Sequence, residues 1–338
     1  MNKIYILSAR QISVQNPLSE EWMENPIALD GAFVRAQDPD FKQFISAGDA
    51  RRMGKLLKRA LATSLSALSE AGVSNPDAII TGTGFGSVEN TELFLDSMVR
   101  EGEQMLKPTQ FMQSTHNTAS SLIGIHTHSH GYNSTYSQKG LSFDSALYDA
   151  WLQFRLGKIG TALVGAHDEM TPLFAEFMRK AGHVKEGEIC SEANVSVLLS
   201  GKADVPAYCT VAGMKLLDSP DPEELKAAVR DVVGCGAAPA AVMSGMSGNA
   251  ENDNWYSFLD SVLPGVEKLR YKHLFGVNFS SSAIGFYAAA CCLKKGLVPA
   301  VLAADGKCKE LSGGILVVNA VEGRHYSIIM LEPLCGRL

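Results

Sequence analysis

The sequence predicts an α/β fold made of two like halves, and three observations carry that expectation. Segments of strand character alternate with helical ones along the whole chain, which argues for sheets covered on their faces. Residues 146–163 (ALYDAWLQFRLGKIGTAL) and 285–302 (GFYAAACCLKKGLVPAVL) superpose as an internal repeat, Gly285 lying 139 residues after Ala146. The 338 residues exceed a domain of roughly 100–200, so two fused units fit the length. Each repeat is a helix rich in small residues, a glycine stop at Gly157 or Gly296, and then a β-rich strand. Each also follows a serine-bearing loop, at Ser142 and at Ser280, Ser281 and Ser282.

The remaining elements follow in chain order. Strands are expected over 3–7, 78–81, 133–138, 161–164, 193–200, 239–244, 315–319 and 326–331, where apolar and β-branched residues cluster. Helices are expected over 54–71, 91–100, 118–127 and 222–233, besides the helix ending at Arg155 and the one ending near Gly296. The charged, proline-containing stretch 217–224 reads as a loop between the halves. No low-complexity segment or long linker separates them, so the halves should form one body, divided at 1–205 and 206–338.

Composition narrows the function classes. Apolar residues make up 46% and charged residues 20%, which suits a large soluble core. A net charge of −6 without a basic stripe argues against a nucleic-acid partner. The opening MNKIYILSARQ has too short an apolar run for a signal peptide, whose apolar region is roughly 7–15 residues. No run approaches the roughly 20 apolar residues of a spanning helix, so no membrane partner is expected. Seven scattered cysteines without a CxxC pair suit reduced thiols in a cytoplasm.

The most informative stretch is 133–165. A strand leads into a sharp turn at Lys139, Gly140, Leu141 and Ser142, a helix follows, and Gly157 stops it before a second strand. Strand, turn and helix in this order present a nucleophile at a helix N-terminus, where the dipole favours a thiolate. No nucleophile stands there.

This segment resembles the active-site region of the β-ketoacyl synthases, condensing enzymes of the thiolase superfamily. Laid on their pattern without a gap, Ser142, Ala146, Ala150, Gly157 and Gly165 match, and the cysteine position falls on Gly140. The first histidine motif corresponds to VMSGMSGNAEND, where Gly248, Asn252 and Asp253 fit and Gly245 takes the histidine position. The second corresponds to KHLFGV, where Lys272 and Gly276 fit and Val277 takes the histidine position. In place of the closing glycine-rich loop after Asn319 the chain reads AVEGRHYS. The resemblance implies a duplicated thiolase-like fold, two mixed sheets in a layered αβαβα arrangement. It also implies that the thiol and both imidazoles needed for condensation are gone.

Other motifs read more plainly. Gly82-Thr-Gly-Phe-Gly86 is not a GxGxxG phosphate cradle and reads as a tight strand exit beside a pocket. His126, His128 and His130 lack a Cys, Asp or Glu to complete a metal site and read as a helix end. Cys291 and Cys292 read as small core residues, whereas Cys190 reads as potentially accessible. Ser247 lacks the GxSxG spacing of a nucleophile elbow. No cofactor or metal is expected.

The resemblance therefore implies a non-catalytic ketosynthase-like subunit of the chain-length-factor type. It would pair with an active ketosynthase through the strand over 133–138 and serve chains borne on an acyl carrier protein. Phe111, Met112, Gln113, His116 and Gln138 are expected at the acyl pocket or the interface, and Lys272 is retained from the family's catalytic network. The block PTQFMQSTHN also resembles small ketosynthase-like proteins of aryl polyene and flexirubin-type pigment pathways. Two alternatives are an acyltransferase or hydrolase using Cys190, Cys235 or a serine, and a homodimeric acyl-binding scaffold.

Overall fold

The structure, a computed structural model, describes residues 3–103, 106–203, 205–234 and 238–334. Its frame is a mixed sheet of ten strands. The first half supplies β1 (Ile4–Ile12), β2 (Ala78–Gly82), β3 (Tyr132–Tyr136), β4 (Thr161–Asp168) and β5 (Ala193–Ser200). The second supplies β6 (Cys209–Asp218), β7 (Ala241–Ser244), β8 (Glu267–Arg270), β9 (Ile315–Val321) and β10 (His325–Glu332). The spatial order is β8-β7-β9-β10-β6-β1-β5-β4-β2-β3. Numbered within its own half, each set of five has the order 3-2-4-5-1, with parallel pairing among the first three and antiparallel pairing beyond. The halves join where β1 pairs antiparallel with β6, Ile4 opposite Val211.

The layers follow from which strands each helix touches. On the outer face of the first half lie α1 (Lys55–Glu70) and, after α2 (Val88–Glu101) and α3 (Pro108–Ser114), α4 (Thr118–Thr127). The helix α5 (Ser142–Arg155) touches β2, β4 and, across the molecule, β6. Beyond α6 (Pro172–Lys180), α7 (Pro222–Val233), α8 (Ala250–Asn254), α9 (Phe258–Val262) and α10 (Lys272–Phe275) comes α11 (Ser281–Lys295), which touches strands of both halves and also α5. The pair α5 and α11 is thus the middle layer, and α7 and α9 cover the outer face of the second half.

Sequence explains these positions. Every residue of α11 from Ser281 to Leu293 is buried, as expected of a helix that is small and apolar all round. The α7 helix is amphipathic and opens with a capping box, Asp221 accepting from Glu223 N and Glu224 N while Glu224 answers at Asp221 N.

Two expectations need correction. The repeat places a strand over 297–302, but only Leu297–Val298 is extended, paired with Lys309–Glu310 in a small separate sheet. Pro299 follows directly, and a proline cannot donate to a central ladder. The strand after α11 that answers to β4 is instead β9. The stretch 217–224 is not a loop between halves, because Leu217 and Asp218 end β6 and α7 begins at Pro222.

Candidate functional site

The N-terminus of α5 is held from several sides. The chain leaves β3 and turns through a short 3-10 turn, Lys139–Leu141, before Ser142 opens α5. Lys139 sits at φ 50, a left-handed conformation that non-glycine residues seldom adopt and that concentrates at functional sites. The Ser142 hydroxyl accepts from Gln138 N (2.8 Å) and lies 2.6 Å from Lys139 O, which ties the turn. A side chain on Gly82 would overlap the backbone of Ser142, so β2 must end in glycine for α5 to approach.

The turn Thr83–Phe85, read from sequence as a tight strand exit, wraps an internal carboxylate, that of Asp168. Asp168 Oδ1 accepts from Thr83 Oγ1 (2.8 Å), Gly84 N (2.8 Å) and Phe85 N (3.3 Å), while Oδ2 accepts from Ser280 Oγ (2.8 Å). One carboxylate therefore clamps the strand exit of the first half to the start of α11.

Against the α5 turn lies a cavity of about 350 Å3. Gly140 and Val277 line it together, with Lys272, Asn252 and Asn319. A Cβ on Gly140 would be 3.2 Å from Val321 Cγ2. Asn319, the end of the apolar run ILVVN, donates Nδ2 to Gly140 O and to Asp144 Oδ2, both at 3.1 Å. Asp144 also accepts from Ser327 Oγ (2.7 Å), and burial pushes its carboxyl up to about 6. Gly245 follows β7, and a side chain there would overlap Tyr256 Oη and lie 3.5 Å from Asn319 Oδ1. The tyrosine hydroxyl accepts from Ala320 N (3.0 Å) and fills the space beside Gly245.

The mouth of the cavity is tied by charge. Glu322 and Gly323, both at positive φ, turn β9 into β10 as a tight hairpin. Glu322 accepts from His183 Nδ1 (3.0 Å) and Lys139 Nζ (3.4 Å), and Lys185 pairs with Glu251 (3.1 Å). Sequence reading missed Tyr256, His183, Glu322 and Asp144; only the polar end of ILVVN hinted at Asn319.

The other expected site residues lie elsewhere. Phe111 and Met112 are exposed on α3, Phe111 against Phe94. Gln113 binds Gly54 N and Arg52 O, and His116 follows α3 near Gly86. Gln138 binds Ser145 Oγ and borders a second cavity with Tyr136, Tyr148 and Leu216. None of these five lines the cavity at the α5 turn. Gln138 follows β3, the outer strand of the sheet, and the other four lie on or just after α3.

The relocated nucleophiles fare poorly. Cys190 is fully buried, against the accessible position expected of it, because it sits in a short strand pairing with Phe33 and bridging Val277. Burial pushes its thiol up, and its one hydrogen-bond neighbour is Arg179, a donor rather than a base. Cys235 lies outside the described residues. Cys291 and Cys292 are buried in α11. His128, left-handed, closes α4 at Thr127, as the helix-end reading of the three histidines expects. Among the described residues, no helix is long and apolar enough to cross a membrane.

One neighbour makes the region pH-sensitive. Burial pushes the Glu169 carboxyl up to about 7, although Ser87 Oγ (2.8 Å) and Glu89 N (2.9 Å) donate to it at the start of α2. The folded chain keeps a proton that the unfolded chain releases in the ordinary range. The stabilisation this proton supplies is complete below about 4.5 and is lost as pH rises through about 7. Thermal unfolding is expected to show Tm falling from about pH 5 to about pH 8, and Glu169→Gln to flatten part of that fall. An unchanged slope in the variant would assign the effect to Asp144 and Asp168, whose carboxyls burial also raises.

Comparison with known proteins agrees with this geometry. The family model described as "Beta-ketoacyl synthase, N-terminal domain" matches residues 20–205. The 3-oxoacyl-[acyl-carrier-protein] synthase 2 of Mycobacterium leprae is 25% identical over 156 residues, 45% of this chain and 36% of that protein. The match thus spans about a third of the length of that curated relative. The solved ishigamide ketosynthase/chain length factor superposes with a TM-score of 0.81 at 15% identity, covering 98% of this chain and 99% of the other. A beta-ketoacyl synthase from Burkholderia phymatum gives 0.82 at 13% identity, covering 99% and 100%. A type II ketosynthase bound to its hexaketide, in complex with its acyl-carrier protein, gives 0.81 at 13% identity, covering 98% and 100%. These structures establish the thiolase-like fold.

Proposed function

This chain belongs to the β-ketoacyl synthase family, and we propose that within it the chain is a non-catalytic subunit that pairs with an active ketosynthase. One observation carries the reading. The cavity at the α5 turn gathers the positions of the family's nucleophile and second histidine as Gly140 and Val277, and a tyrosine hydroxyl closes the space of the first histidine at Gly245. Condensation needs a thiol to carry the acyl group and imidazoles to stabilise the oxyanion, and these three positions supply neither.

The pairing surface of this reading is the open edge of β3. The helices that precede it carry exposed apolar side chains, among them Val99 of α2, Phe111 and Met112 of α3, and Ile125 of α4, the helix that packs on β3. Unpaired strand edges and contiguous apolar surface invite a partner. Phe111, Met112, Gln113, His116 and Gln138 would meet that partner and help shape its acyl tunnel. The solved relatives include a ketosynthase/chain length factor and a ketosynthase with its acyl-carrier protein, which supports both kinds of partner. The halves 1–205 and 206–338, the cytoplasmic setting and a place in polyene-type pigment synthesis belong to the same proposal.

Co-expression of this chain, tagged, with the ketosynthase encoded nearest to it tests the reading by native mass spectrometry. The expected result is a one-to-one heterodimer in which the ketosynthase is active only as the pair. A stable homodimer that ignores the ketosynthase, or condensation by the isolated chain, overturns it.

A further inference from the structure

The subunit role leaves one group in the cavity without a task. Lys272 opens α10 and lines the cavity, yet among the described residues its amine makes no hydrogen bond and no ion pair within 4.0 Å, whereas Lys139 and His183 share Glu322 and Lys185 holds Glu251. The acids that face Lys272 are Glu188 and Asp253, and both are engaged elsewhere. Glu188 accepts from Asn252 Nδ2 (2.6 Å) and Lys185 N (2.7 Å), and Asp253 from Ser247 N (2.8 Å) and Gly248 N (3.2 Å). Burial holds the Lys272 amine below its ordinary range, with the charges of Glu188 and Asp253 opposing. A lysine whose amine is held below its ordinary range, with no carboxylate in direct contact, is a nucleophile toward carbonyl carbon.

A second observation points to a ligand. Two asparagines of the same cavity, Asn252 and Asn278, keep a buried amide oxygen without a donor. Their orientation is settled by their nitrogens. Asn252 Nδ2 donates to the Glu188 carboxylate, and Asn278 Nδ2 (2.7 Å) donates to Ser191 Oγ, whose own proton goes to Phe275 O (2.7 Å). The lining of this cavity thus includes an amine without a partner among the described residues and two asparagines whose buried amide oxygens lack a donor.

We propose that this cavity captures a β-dicarbonyl compound covalently, the Lys272 amine adding to a ketone carbon. The nitrogen lone pair forms the C–N bond and an amine proton passes to the carbonyl oxygen, giving a carbinolamine. Loss of that oxygen as water gives the imine, which tautomerises to an enaminone; no oxidant or reductant takes part, and hydrolysis reverses the step. The carbinolamine hydroxyl and the enaminone N–H are donors of the kind the two amide oxygens lack. The subunit reading names the natural source, a β-keto chain on a carrier, but the capture itself needs only this chain.

Acetylacetone tests it, because it is a β-diketone with no thioester to transfer. The purified full-length chain is incubated with the probe, and adducts are mapped by peptide mass spectrometry with the near-ultraviolet absorbance of the enaminone. The expected result is a gain of one acetylacetone less one water on Lys272, formed at least roughly tenfold faster than on any other lysine, since a lysine held below its ordinary range carries more free amine. Lys272→Arg keeps the charge and is expected to lose the adduct, while Lys139→Met and Lys185→Met retain it. Labelling of Lys272 no faster than of surface lysines overturns the proposal, as does an unchanged rate in Lys272→Arg. Since no ketosynthase is present, failure here is distinct from failure to form a heterodimer.

Discussion

Gly245→Ala is expected to destabilise the chain by about 1–3 kcal/mol, the usual cost of forcing extra volume into a filled core. The new Cβ would overlap Tyr256 Oη, and Tyr256 is among the most deeply buried side chains. The ring cannot swing away freely, because its hydroxyl accepts from Ala320 N next to Asn319. Tyr256→Phe removes the overlapping oxygen and leaves Cζ at 3.3 Å as the nearest ring atom, a tight contact that small shifts relieve. That change has its own cost, about 1–3 kcal/mol, since Ala320 N loses its acceptor. The double variant is therefore expected to be more stable than the sum of the single losses requires. Urea unfolding of the four proteins measures the coupling. Strict additivity would mean that the hydroxyl is not what closes the histidine position. The coupling bears on function, because an imidazole at 245 then cannot be restored without moving Tyr256.

Arg59→Ala is expected to cost more, about 3–5 kcal/mol, as breaking a buried ion pair leaves the surviving charge uncompensated. Arg59 is 1% exposed and donates from Nη1 to Glu192 (2.9 Å), itself 3% exposed, and from Nε to Asp38 (2.5 Å). Glu192 also accepts from Ala36 N (2.9 Å) and Met170 N (3.3 Å). The pair thus ties α1 to the loop around Ala36 and to Met170 on the cavity wall. Replacing Arg59 and its buried partner together, Arg59→Met with Glu192→Gln, is expected to recover much of the loss, since the one carboxylate then left without Arg59, Asp38, is 35% exposed. Chemical denaturation decides. A loss from Arg59→Ala below about 1 kcal/mol would place the pair with exposed salt bridges.

Particular residues show how much was legible. Gly140 and Val277 were identified from motif positions far apart in the chain, and they share one cavity wall. The helix stops at Gly157 and Gly296 were legible because positive φ is a local demand that glycine meets. The strand β6 was not expected, because CTVAGMKLLD carries a glycine and a lysine and has little strand signal of its own. Its extension comes from pairing with β10 and β1, partners distant in sequence. Phe111 and Met112 are expected at the acyl pocket or the interface from the resemblance of their block, and α3 holds them exposed, away from the cavity at the α5 turn.

By itself the sequence determined the alternation of strands and helices, the duplicated halves, the resemblance to condensing enzymes and the expectation that Gly140, Gly245 and Val277 stand at the thiol and imidazole positions. Those are properties of residue type and local spacing. The tertiary structure alone decided that Asp168 fills the glycine turn, that Tyr256 fills the space at Gly245, that Glu322 gathers Lys139 and His183, and that Lys272 is left unpaired. Each of these depends on which groups from distant segments meet across the fold, and therefore on which charges and hydrogen bonds are already satisfied there. No local pattern in the chain carries that information.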